Sequence, residues 1–315
     1  MLVEFRIHWL RQTVLWLSIV DSHARPKLIC SPVNLTGNDS QTNSRTKAVV
    51  LIPARFASTR LPGKALLEID GKPMICRVAE RAMEARNVAR VIVATDDERI
   101  VDVVRSAGYE AVMTSEDHAS GTDRIAEVAE TLEDADIIVN LQGDEPLISP
   151  LTIERAIAAS DDESVGIVTT WEAIETAVDV LNPDVVKIVV DPSGMAFYFS
   201  RSPVPYPRDA VRKHVTLENA LRHEPGLLGQ FRKHTGLYVY RRQVLLEFTG
   251  WPQSRLEGIE CLEQLRALEH GVKVKAIEAS SPSIGVDTRE DLERVRASIK
   301  KEHLEFAVER FKSRL

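Results

Sequence analysis

The chain has 315 residues, 44% hydrophobic and 28% charged, with a net charge of -7 at neutral pH. That balance is ordinary for a soluble globular protein, and the acid excess argues against nonspecific nucleic-acid binding and for a small-molecule partner. Three cysteines far apart, Cys30, Cys76 and Cys261, give neither a disulfide framework nor a zinc spacing, which suits a reducing, cytoplasmic compartment.

The first 46 residues differ in character from the rest of the chain. The apolar stretch from Trp9 to Val20 is interrupted by Arg11 and Gln12 and is far shorter than the roughly 20 residues of a spanning helix, so no stable membrane insertion is expected. Arg6 and Arg11 precede this patch and Ser22-His23-Ala24 loosely resembles a cleavage site, but the patch is at the lower limit for an export signal. Residues 31–47, rich in Ser, Asn, Thr and Asp, read as a linker. The predicted organisation is a disordered or misassigned extension over 1–46, one domain over 47–300 and a C-terminal helical extension over 301–315.

From Lys47 onward strands alternate with helices. Apolar runs at 48–52, 90–94, 136–141, 165–169 and 185–190 read as buried strands. Segments 74–86, 98–107, 122–132 and 151–159 carry apolar residues at helical spacing, and Gly108 stops the second. Asp70-Gly71 marks a tight turn. Further on, Ser254 caps a predicted helix over 255–270 with Leu256, Ile259, Leu262, Leu265 and Leu268 on one stripe, closed by Gly271. A strand VKVKAIE comes next, and a last helix opens at Thr288, with Asp291 completing an imperfect capping box, and runs toward Phe311. This alternation predicts a three-layer α/β/α, Rossmann-like domain with a mainly parallel sheet that binds ligands beyond the carboxyl ends of its strands.

The most informative stretch is VVLIPARFASTRLPGK, residues 49–64. Pro53 lacks a backbone donor, so the strand should end there and a loop begin. That loop carries Arg55, Arg60 and Lys64 beside Pro62 and Gly63, a set of cations suited to a triphosphate. It is not a Walker A loop, because Lys64 is followed by Ala65 in place of Ser or Thr; a solvated basic turn is the competing reading. Polar residues close the other strands at Thr95-Asp96-Asp97 and Gln142-Gly143-Asp144-Glu145, while Ser120-Gly121-Thr122-Asp123-Arg124 opens a helix. Asp144, directly after a buried strand, is a candidate magnesium ligand or a turn cap. Asp287, in Gly285-Val286-Asp287-Thr288, is a candidate partner for the same ion or a helix cap. Arg201, His234, Tyr238, Glu257 and Glu260 could supply donors and acids for an acceptor carrying a carboxylate and hydroxyls, although each alone is weak, and a lone His or a helical Glu is more often structural or solvated.

Taken in order, IPARFASTRLPGK, GKPMI, VIVATDDERI, TSEDHASGTDRIAEV, VNLQGDEPLI, NPDVVKIVVD, AFYFSRSPVPYPRD, KHTGLYVYR, LEQLRALEHG and GVDTREDLERVR resemble the 3-deoxy-manno-octulosonate (Kdo) cytidylyltransferases, from about Thr46 to about Val295. The resemblance implies a nucleotidyltransferase-like fold with a smaller sugar-binding and dimerisation subregion. It also implies an enzyme that joins CTP and the acidic sugar Kdo into CMP-Kdo for lipopolysaccharide assembly, releasing pyrophosphate, with magnesium and as a homodimer. On the matching positions, Arg55, Arg60 and Lys64 would hold the triphosphate, with Pro53, Ala54, Thr95, Ser120, Gly121, Thr122 and Arg124 around the cytidine. Asp144 and Asp287 would bind metal, and Gln142, Arg201, His234, Tyr238, Glu257 and Glu260 would face the sugar. An amino variant of Kdo, or another acidic sugar, is the alternative acceptor. A silent CTP-binding sensor is disfavoured because every proposed cation and metal carboxylate is present. The sequence departs from the family's pattern at Ala65, Phe56 and Lys233, none of which removes a charge or donor from a proposed contact.

Overall fold

The computed structural model describes residues 48–57 and 60–312, the side chains of 302–312 excepted; the expectations for 1–46 lie outside the described residues. Strand β1 (Ala48–Ala54) leads to the short β2 (Glu68–Ile69) and β3 (Lys72–Pro73), then α1 (Met74–Met83), β4 (Val88–Thr95), α2 (Glu98–Ser106) and β5 (Glu110–Met113). Next come α3 (Gly121–Glu130), β6 (Ile137–Asn140), α4 (Pro150–Ala159), β7 (Ile167–Ala173), α5 (Ala177–Leu181), β8 (Lys187–Val190) and β9 (Ala196–Ser200). The rest is α6 (Arg208–His214), α7 (Leu217–His223), β10 (Arg232–Arg241), α8 (Arg242–Gly250), α9 (Arg255–Glu260), α10 (Gln264–Glu269), β11 (Val274–Glu278) and α11 (Arg289–Lys312).

The main sheet runs β11-β7-β10-β6-β1-β4-β5, with β10 antiparallel to both its neighbours and the other pairs parallel. The period of two along β1 sorts its side chains between two cores. Val50, Ile52 and Ala54 pack with α1, α2 and α4 residues such as Val78, Val104 and Ile153. Val49 and Leu51 point the other way, into a core with Ile125, Val128, Leu245 and Leu265 of α3, α8 and α10. Helices on both faces of a mainly parallel sheet give the expected three layers. Beside them, β8 and β9 pair antiparallel next to β10, and α5, α6 and α7 enclose a small core of Ile174, Val180, Val211, Leu221 and Phe231. No helix among the described residues is long and apolar enough to cross a membrane.

The Asp70-Gly71 turn joins β2 to β3, with φ of 50° and 73° at the two residues, the positive pair that a tight hairpin turn of this length requires. The expectation of one helix over 255–270 is corrected: α9 and α10 are separate, broken at Cys261, whose φ of 52° is left-handed. The apolar stripe hid the break, and Ile259, one of its members, is 67% exposed. Strand β10, ten residues long, was not among the expected strands, because Gly236 and a register shift between Thr235 and Tyr238 interrupt its alternation. Strand β5 lies at the sheet edge with Val112 and Met113 exposed, so it lacks the apolar run that marked its neighbours.

Candidate active site

The carboxyl ends of β1, β4 and β6 lie side by side, and the loops leaving β1 and β6, with the start of α3 and Asp287, bound an open cleft of about 340 Å³. Strand β1 runs through Pro53 to Ala54, further than expected. Pairing with β6 ends at Leu51, so the missing proline donor leaves no gap on that side. The loop then folds back: Gly63, with a φ of 66°, donates its N–H to Phe56 O at 3.3 Å and lies against the Phe56 ring. The Arg99 guanidinium lies over that ring, 3.3 Å from its centroid, and is held in turn by Asp97, at 2.6 Å. The basic loop is thereby fastened to the start of α2, and Arg55, Arg60 and Lys64 all line the cleft.

Opposite them stand Asp144 and Asp287, 143 positions apart in sequence and together in space. Lys64 Nζ lies 2.6 Å from Asp144 Oδ2 and 3.3 Å from Asp287 Oδ1, and Arg60 Nη2 lies 3.1 Å from the same Asp287 oxygen. One cationic group, the Lys64 ammonium, therefore meets both carboxylates at once. Two carboxylates plus substrate phosphate oxygens are a common donor set for magnesium, so the residues present fit that ion; no group of three or more His, Cys, Asp or Glu among the described residues is arranged to hold a metal by itself. Asp287 does not cap α11. That role falls to Thr288, whose Oγ1 accepts from Asp291 N at 3.1 Å while Asp291 Oδ2 accepts from Thr288 N at 2.8 Å.

Pro53, Ala54, Gly121, Arg124 and Gln142 line the same cleft. Arg124 is wholly buried, pairing with Asp96 Oδ2 at 2.6 Å and Thr114 Oγ1 at 2.5 Å. Burial pulls its pKa down, although Asp96 opposes this. Its Nε and the Oγ1 of buried Thr95 have no hydrogen-bond partner in the protein, which leaves polar groups unsatisfied behind the cleft. Gly121 has no room for a side chain larger than hydrogen without pressing Pro53, since a Cβ there would lie 3.2 Å from its ring. Ser120 and Thr122 point elsewhere: Ser120 caps α3 in a capping box with Asp123, and Thr122 Oγ1 donates to Glu263 at 2.8 Å.

The residues expected to face the sugar form a second group beside the cleft. Tyr238 pairs in register with Asn140 of β6, and a Cβ on Gly236 would come within 3.2 Å of Gln142, so β10 brings this group against the cleft wall. His234 lies between Phe199 and Tyr238, with ring centroids 5.0 and 5.4 Å away. Burial pushes its pKa down to about 3, so the ring is neutral near pH 7. Thr169 Oγ1 donates its one hydrogen to Leu237 O at 2.9 Å, so the 2.9 Å contact to His234 must be Nε2–H donating to that hydroxyl, and Nδ1 keeps its lone pair. Tyr238 is likewise held well above its ordinary pKa by burial and stays a neutral phenol.

Arg201 and Glu260 depend on the break at Cys261. Arg201 Nε donates to Glu260 O at 2.7 Å, Nη2 to Cys261 O at 3.3 Å and Nη1 to Pro183 O at 3.0 Å. The Glu260 carboxylate takes Ser200 Oγ at 2.7 Å and Arg201 N at 2.9 Å. Glu257 is committed differently, to the α9 capping box and to a buried fork from Arg266 at 2.5 and 2.8 Å.

A family model described as Cytidylyltransferase matches residues 49–277. The 3-deoxy-manno-octulosonate cytidylyltransferase of Geobacter sulfurreducens is 51% identical over 253 residues, which is 79% of this chain and 98% of that protein. The chain belongs to the 3-deoxy-manno-octulosonate cytidylyltransferase family. The Escherichia coli protein of the same name is 44% identical over 263 residues, 83% of this chain and all of the relative. A solved CMP:2-keto-3-deoxy-manno-octonic acid synthetase complexed with CTP has a TM-score of 0.72 at 44% identity, covering 81% of this chain and 99% of that one. A cytidylyltransferase from Leptospira borgpetersenii, 18% identical with a TM-score of 0.52, shares the fold alone.

Three further groups carry no site signal in the sequence. Lys187 is completely buried and donates to Asn182 O at 2.9 Å and Val185 O at 2.5 Å, so it braces the turn whose Pro183 carbonyl holds Arg201. A lone lysine inside an apolar strand was its only trace. Glu145 follows Asp144 and bonds Ser283, and burial pushes its pKa up to about 7. Arg99 over Phe56 left no trace at all, since nothing in sequence places a helix's first turn on that ring.

Proposed function

We propose that this chain transfers CMP from CTP to the anomeric hydroxyl of Kdo, giving CMP-Kdo and pyrophosphate for lipopolysaccharide synthesis, as a cytoplasmic, magnesium-dependent homodimer. The observation that carries the reading is the meeting of Asp144, Asp287 and Lys64 within 3.3 Å on the wall of the cleft that Arg55 and Arg60 also line. The three cations offset a triphosphate's charge and orient it, while Arg124 and the Pro53-Ala54 backbone frame the base. Neutral His234 offers Nδ1 as an acceptor toward a sugar hydroxyl. Attack of that hydroxyl on the α-phosphorus expels pyrophosphate with no covalent enzyme intermediate, so the protein's task is positioning and charge stabilisation. Asp144 and Asp287 would hold magnesium, which when bound offsets phosphate charge and favours loss of the attacking hydroxyl's proton.

The test is pyrophosphate release with Kdo, magnesium and each of the four nucleoside triphosphates, with 8-amino-Kdo alongside. The expected result is turnover with CTP and Kdo and little with ATP or GTP. Equal rates with ATP, or no release with Kdo, would contradict the reading.

A further inference from the structure

Asp287 lies near the end of a stretch, residues 279–288, that is neither helix nor strand, so no ladder of backbone bonds determines where its carboxylate goes. Its neighbours do. Val286 is fully buried beside Leu61, Met74 and Leu292, and its N–H donates to Asp144 O at 2.9 Å. Three residues earlier Ser283 Oγ donates to Glu145 Oε2 at 2.5 Å, and Ser283 N donates to Glu172 Oε1 at 2.9 Å. Between them Gly285 runs so close that a Cβ would stand 3.1 Å from Glu145 Oε1. Glu145 therefore touches the Asp287 segment at two points while being bonded in sequence to Asp144. It does not line the cleft; it faces a small space shared with Thr170, Glu172 and Thr235.

We propose that Glu145 is a positioning residue, which by holding Ser283 fixes the segment bearing Asp287 against the loop bearing Asp144 and so sets the two carboxylates for one divalent cation. Glu172, anchored by Lys233 Nζ at 3.1 Å, is a second strut to the same serine, running from β7 and β10. A buried residue that merely fills space would give the fold stability without tuning the metal. Groups hydrogen-bonded to metal ligands typically control metal affinity by about 10-fold to 100-fold, and Glu145 acts one step further out, through the backbone that carries both ligands. The inference rests on Asp144 and Asp287 acting as joint metal ligands.

The experiment is Mn2+ binding to the full chain with CTP, read from the free-ion paramagnetic resonance signal, beside the magnesium dependence of turnover. Glu145→Ala and Ser283→Ala should each weaken Mn2+ by about 10-fold or more and raise the magnesium needed for half-maximal rate, while CTP bound without metal is unchanged. Glu145→Gln, whose amide oxygen still accepts from Ser283, should stay close to the parent. The Glu145→Ala/Ser283→Ala pair should be no weaker than either single change, because the two residues form one contact. Unchanged Mn2+ affinity in the alanine variants, or an equal loss of metal-free CTP binding, would overturn the proposal; should Glu145→Ala not fold, Ser283→Ala decides it. A parent that binds Mn2+ with CTP but does not convert Kdo sinks the proposed reaction and leaves this comparison standing, whereas a parent that binds no Mn2+ overturns the inference itself.

Discussion

Arg124 and Arg60 both bring a guanidinium to the cleft, yet their settings differ in kind. Arg124 has no exposed side-chain surface and neutralises Asp96, while the Arg60 side chain is 67% exposed. Removing one partner of a buried pair leaves an uncompensated charge, so Arg124→Ala should cost about 3 kcal/mol or more of stability. Arg60→Ala should cost no more than about 1 kcal/mol and show its effect in turnover instead. Urea unfolding of both variants checks the contrast, and equal losses would contradict it. His234 supplies a pH test. Its folded-state pKa of about 3 lies below the ordinary 6.5, so the unfolded chain binds a proton that the folded chain refuses. Burial of this ring therefore lowers stability as pH falls below 6.5, and the loss grows until about pH 3. Carboxylates titrate over the same range in parent and variant alike, so the difference isolates the histidine. His234→Gln should gain stability relative to the parent between about pH 7 and about pH 4; a difference independent of pH would show that the ring is solvated.

At the scale of elements, the break between α9 and α10 links backbone conformation to the acceptor group. Cys261 adopts a conformation that L-residues resist, and the interruption exposes the carbonyls of Glu260 and Cys261 to Arg201. Cys261→Gly should keep or slightly raise stability, by at most about 1 kcal/mol. Cys261→Val, β-branched at positive φ, should lower the unfolding midpoint and raise KM for the sugar acid more than for CTP. Equal behaviour of the two variants in thermal unfolding and kinetics would show that the break is incidental. The same region shows what sequence could not convey. Five leucine and isoleucine positions at helical spacing read as one helix, because periodicity reports which face is apolar and is blind to a single left-handed residue. Strand β10 was hidden by Gly236, which lets the strand pass close to Gln142. The buried parallel strands, by contrast, were legible because burial on both faces leaves an unbroken apolar run, as in Val49, Val50, Leu51 and Ile52.

For the whole molecule, the sheet is the device that joins distant sequence. It aligns the ends of β1 and β6, so that Lys64 and Asp144 meet across a cleft, and the return of the chain after β11 brings Asp287 to the same point. The cations and the strand-end acids could be picked from local sequence, because each lies in a loop that leaves an apolar run. That Asp287 reaches Asp144 depends on long-range packing that no local pattern encodes, whereas Glu257, three residues after Ser254, carries a capping-box pattern that marks it as structural. The proposed joint metal site of Asp144 and Asp287 is tested most directly by pyrophosphate release from CTP and Kdo over a magnesium series, in the parent, Asp144→Asn, Asp287→Asn and the double variant. Each single change keeps side-chain shape and removes the charge that offsets the ion. Turnover should fall on the order of 100-fold or more in each, about 3 kcal/mol of transition-state stabilisation, and the double variant should lose little beyond either single one. An Asp287→Asn enzyme that keeps its turnover and its magnesium dependence would contradict the account.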